Sequence, residues 1–88
     1  MHSKQGWREE TEDGDIREVR VNRVAGTWRF QSRRKGEREW VRHDPPRVED
    51  VQYFYDMMDR KYHRRRTSLK VVQEVEKLLR DLQARQRP

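Results

Sequence analysis

Between Ile16 and His43 the chain alternates apolar and polar side chains with a period of two. Val19 and Val21 fall on one face of a segment running over about 16–23, with Glu18, Arg20 and Asn22 on the other. Ala25-Gly26 is a turn signal, after which Trp28 and Phe30 alternate with Arg29 and Gln31 over about 27–33. Arg33-Arg34-Lys35-Gly36 is a second polar turn, and Glu37 to His43 reads as a third strand. Strands of this length joined by short glycine-containing turns predict an antiparallel meander.

Asp44-Pro45-Pro46 closes the strand region, because proline donates no ladder hydrogen bond and pre-sets φ for a helix start. The period then changes. Val48, Val51, Tyr55, Met58 and Tyr62 recur at spacings of three and four, and Phe54 widens the stripe, which predicts a helix over about 46–65. Thr67 or Ser68 is placed to cap a second helix over about 68–83, whose stripe is Val71, Val72, Val75, Leu78, Leu79 and Leu82. The expected fold class is therefore α+β: a three-stranded antiparallel β-meander followed by, and packed on, an α-helical hairpin in the order β-β-β-α-α. A three-stranded sheet with one apolar face needs such a cover. Residues 16–83 would form one domain, and 84–88 a frayed end.

The first fifteen residues look different. They hold one large apolar side chain, Trp7, show no period, and carry a net charge of −3. They read as a disordered acidic tail.

Composition narrows the function classes. The chain has 88 residues, 43% charged and 31% hydrophobic, with 22 Lys+Arg against 16 Asp+Glu and a net charge of +6. It has no cysteine, which removes disulfides, thiol nucleophiles and cysteine-based metal centres. No apolar run approaches the roughly 18 residues of a membrane span, and residues 1–15 lack the apolar core of a signal peptide. A cytoplasmic protein follows as the expectation. Both helices need their apolar stripes for packing, so neither is expected to lie on a lipid surface.

Catalytic chemistry finds little support. Ser32 and Ser68 have no glycine-rich elbow around them and no neighbouring histidine in sequence, and Ser3, beside His2, lies in the expected tail. His2, His43 and His63 lack the spacing of convergent metal ligands. His43 reads as a strand-end histidine bonded locally, and His63 as a partner of Asp59 one turn earlier. The four glycines are scattered and build no phosphate-cradling loop. No cofactor, metal or small-molecule substrate is implied, and the chain reads as a non-enzyme.

The basic residues say more. One cluster is Arg33, Arg34, Lys35 and Arg38 around the second turn. The other spans Arg60, Lys61, Arg64, Arg65 and Arg66. Projected on an ideal helix from Val48, Tyr53, Met57, Arg60, Lys61 and Arg64 share one outward arc. Cations with exposed aromatic and apolar neighbours suit RNA or DNA, whose phosphates supply affinity without sequence readout. Asp56, four residues before Arg60, is placed to neutralise it.

Trp40 is expected to point inward and complete the core. Outward, it would stand between Arg38 and Arg42 as a stacking platform. The function expected from these clusters is nucleic-acid binding. The rival is a protein-interaction module or homodimer that uses the helical hairpin.

Overall fold

A computed structural model describes residues 5–86 of the chain. The fold is α+β: a four-stranded antiparallel sheet in the order β1-β2-β3-β4, followed by two helices. The chain divides into two compact units, Met1–Pro46 and Arg47–Pro88.

The first unit is the sheet. β1 (Gln5–Glu10) pairs with β2 (Ile16–Val24), which pairs with β3 (Thr27–Arg34), which pairs with the short β4 (Val41–His43). The register places Trp7 opposite Val19, Val19 opposite Ser32 and Val21 opposite Phe30. Directly opposed residues share a face. One face therefore holds Trp7, Arg17, Val19, Val21, Trp28, Phe30, Ser32 and His43. Its centre is buried, with Val19, Val21 and Phe30 at most 2% exposed. The β2–β3 hairpin closes on Ala25 and Gly26, both at positive φ (50° and 80°). That pair is the two-residue turn whose twist matches the strands it joins.

Two expectations fail here. Residues 5–15 of the expected disordered tail are ordered; residues 1–4 lie outside the described part. Composition misled because this segment is held mainly by the ladder and by charge, with Trp7 its single large apolar side chain on the buried face. β1 exchanges main-chain hydrogen bonds with β2, and Arg17 Nη1 donates to Glu9 Oε1 across the pair at 2.6 Å. Thr11 to Asp15 then fold into a loop. Thr11 N donates to Asp15 O at 2.8 Å, and Ile16 N donates to Asp15 Oδ1 at 2.8 Å.

The expected third strand over 37–43 is the second failure, since only Val41–His43 pairs. Arg34 N donates to Glu37 Oε1 at 2.7 Å and Glu37 N to Arg34 O at 3.0 Å, with Gly36 at φ 92° between them. This turn takes Glu37 out of the ladder, and residues 38–40 follow outside it.

The second unit is a pair of mutually packed helices, α1 (Val48–His63) and α2 (Leu69–Arg85). α1 buries Val51, Phe54 and Met58. α2 buries Val72, Val75, Leu79 and Leu82, the stripe its spacing predicts. Tyr55 Oη donates to Glu76 Oε2 at 3.3 Å between the two helices. Partial burial, then the Glu76 carboxylate, raises the Tyr55 pKa. Ser68 caps α2, its hydroxyl accepting from Val71 N at 3.3 Å. α2 reaches Arg85, two residues past the expected helix end at 83; 87 and 88, within the expected frayed end, lie outside the described part.

α1 ends in a Schellman motif. Arg65 N donates to Tyr62 O at 2.9 Å and Arg66 N to Lys61 O at 2.8 Å. The motif puts Arg65 at φ 60°, in the left-handed region where glycine is favoured.

Candidate nucleic-acid interface

The two basic clusters fall in different units and have different chemistry. In the first, around the β3–β4 turn, two of four cations are engaged internally. Arg34 Nη1 lies 3.2 Å from Asp13 and 3.1 Å from Asp15. The Asp15 bond, then the Asp13 bond, raises the Arg34 pKa further above its ordinary value. The acids of the early segment thus cancel part of the turn's charge. Arg33 Nη2 lies 3.5 Å from Glu18, and its guanidinium stacks on Trp40, 4.5 Å from the ring centroid. Lys35 and Arg38 remain exposed, with no carboxylate at ion-pair distance among the described residues.

The second cluster is freer. Arg60, Arg64, Arg65 and Arg66 are all exposed, and among the described residues none has an ion-pair partner. The expected Asp56–Arg60 pair does not form. Asp56 instead accepts from Gln52 Nε2 at 3.1 Å, one turn earlier. His63 does lie beside Asp59, at 3.6 Å. Tyr53 is 45% exposed, Met57 and Lys61 are half-buried, and Tyr53, Met57 and Arg60 follow each other at spacings of four and three along one side of α1. Arg64, Arg65 and Arg66 occupy the helix cap and the two positions after it, where the negative end of the helix dipole favours cations.

The structure brings together a set of residues that sequence reasoning missed. Trp40 does not point inward. It lies with Arg20 and Arg33, whose guanidinium carbons are 4.2 Å and 4.5 Å from its ring centroid. Both arginines stand on the opposite face of the sheet from Val19, Val21 and Phe30. Arg20 Nε donates to Gln31 Oε1 at 2.7 Å, which orients it. Arg33 Nε is buried without an acceptor, so its stack on Trp40 and its pairing with Glu18 hold the head in place. The missed signal was parity. Val41 and His43 pair with Ser32 and Phe30, so the even-numbered residues of that segment belong to the outer face.

Other chemistry is sparse. Ser32 Oγ and His43 Nε2 are hydrogen-bonded at 2.6 Å, but Ser32 is only 7% exposed, which closes its hydroxyl to a substrate. That bond ties β3 to β4. No group of three metal-ligating side chains occurs among the described residues, and no described helix is long and apolar enough to cross a membrane. An open groove of about 350 Å³ beside β1 and β2 is lined by Arg8, Glu9, Glu10, Ile16, Glu18 and Lys35, with charges of both signs. Comparison with known protein families, with curated proteins and with solved structures finds no match to this chain.

Proposed function

We propose that the chain is a non-enzymatic, cytoplasmic binding protein that contacts RNA or DNA, mainly through phosphates. The arginine-rich end of α1 is its principal contact. The observation that carries this reading is the state of four arginines, Arg60 and Arg64 to Arg66. All are exposed within seven residues of chain, and none is neutralised by a described carboxylate. Unpaired cations at this density displace counterions from a phosphate backbone, which gives affinity without sequence preference. Tyr53, two turns before Arg60 on the same side of α1, adds an exposed ring. The turn cluster contributes less, because Arg34 is committed to Asp13 and Asp15.

The test is a titration of the purified protein with mixed single-stranded RNA and with duplex DNA at about 50 and 200 mM salt. Affinity should fall by orders of magnitude between the two salts and disappear in Arg64→Ala/Arg65→Ala/Arg66→Ala. Binding that ignores salt, or is absent at low salt, overturns the reading. The next hypothesis is then a protein partner or self-association, tested by pull-down and by mass in solution.

A further inference from the structure

We infer that the outer face of the sheet is a binding surface for single-stranded nucleic acid, with Trp40 as its stacking platform and Arg8, Arg29 and Arg42 as phosphate contacts. This deepens the proposed nucleic-acid reading and rests on it.

The first support is the one-sided charge of the sheet. By strand register, the outer face carries five arginines, at positions 8, 20, 29, 33 and 42, and two carboxylates, Glu10 and Glu18. Glu18 is already paired with Arg33. Arg8 and Arg29 are exposed and have no ion-pair partner among the described residues. Arg42 has only a 3.7 Å contact with the exposed Asp44, a pairing weakened by solvent. The surface has the charge that complements a polyphosphate and little carboxylate to oppose it.

The second support is where the indole lies. A tryptophan buried in a core would be worth more to stability than one half-buried on a charged face. Trp40 nevertheless stands on this face, and two cations orient it. Arg20 is fixed by Gln31 and Arg33 by Glu18, so both stacking groups are held before any ligand arrives. An indole pre-set against two guanidinium groups forms with them one planar cationic and aromatic surface on which an unpaired base can stack. Bases within a duplex are already stacked on each other. The surface therefore selects strands whose bases are free.

The experiment uses the full chain, an oligouridylate of about 12 nucleotides and a duplex of the same length. The wild-type protein should prefer the single strand. Trp40→Leu should lose about five- to hundredfold in single-strand affinity, with duplex affinity little changed, and Trp40→Phe should recover part of the loss. Arg8→Ala/Arg29→Ala/Arg42→Ala should lower the salt slope for the single strand by about 2. These three side chains lie at the surface, so this variant stays informative if Trp40→Leu fails to fold, as circular dichroism would reveal. An unchanged slope in the triple variant overturns the surface. So does an unchanged single-strand preference in folded Trp40→Leu. If binding survives both changes and disappears only with Arg64 to Arg66, the helix-end reading stands and this one falls. If the wild-type protein binds neither probe at low salt, both fall.

Discussion

The guanidinium of Arg34 lies 3.2 Å from the carboxylate of Asp13, across 21 positions of chain. The contact pins the β1–β2 loop to the end of β3. Asp13 is held below its ordinary pKa of 3.8, first by the Thr11 hydroxyl and then by Arg34. A carboxyl depressed in the folded state adds stability that is fully present above the ordinary value and is lost as pH falls through the depressed one. The loop should therefore keep its order down to about pH 3.8 and loosen below it. Carboxyl NMR titration would follow this, and Thr11→Ala and Arg34→Ala should each move the Asp13 midpoint upward. An unmoved midpoint in Thr11→Ala would show that the hydroxyl is not the main cause.

Gly6 sits in β1 with its backbone close to its neighbour. A Cβ there would lie 2.9 Å from the Val19 carbonyl oxygen, which is main chain and cannot swing aside. Gly6→Ala should cost about 1–3 kcal/mol, read by urea denaturation. A cost near zero would mean that β1 can shift along β2 without penalty.

Arg65 is the residue that glycine would replace to advantage. At φ 60° an arginine carries a steric penalty that glycine avoids. Arg65→Gly should stabilise the protein by about 1 kcal/mol while weakening nucleic-acid binding through the lost cation. Opposite signs in the two measurements separate a functional arginine from one that merely ends the helix. A variant that gains stability with no loss of affinity removes Arg65 from the contact set.

Phe30 is fully buried at the centre of β3, opposite Val21 and His43. Phe30→Ala should cost about 3–5 kcal/mol. A small domain has about 5–15 kcal/mol in total, so the variant should melt early and broadly in a thermal scan. Retention of a sharp wild-type transition would contradict the burial of this ring.

The fold was legible wherever the period was clean. The apolar alternation of Val19, Val21, Trp28 and Phe30 gave two strands within a residue of their observed ends, and the two heptad-like stripes gave both helices. It failed where main-chain pairing and charge carry the structure. Nothing apolar in Arg8-Glu9-Glu10 marks a strand, because its partners are the β2 ladder and Arg17. Of the candidate site, position was legible and pairing was not. Arg34 and Arg64 look alike in sequence, yet one is clamped by two aspartates and the other has no carboxylate partner among the described residues. That difference comes from contacts between residues far apart in the chain, which local pattern does not encode.

β1 has a practical consequence for anyone handling this protein. Its acidic, aperiodic look invites trimming of the first fifteen residues as a harmless tail. Such a cut would turn β2 from an interior strand into an edge of nine residues, with the main chain of Val19 and Val21 open to pairing. Long unpaired edges are where sheets recruit a strand from another molecule. The shortened protein would then self-associate for reasons unrelated to its biology, and an oligomeric state measured on it would describe the missing strand.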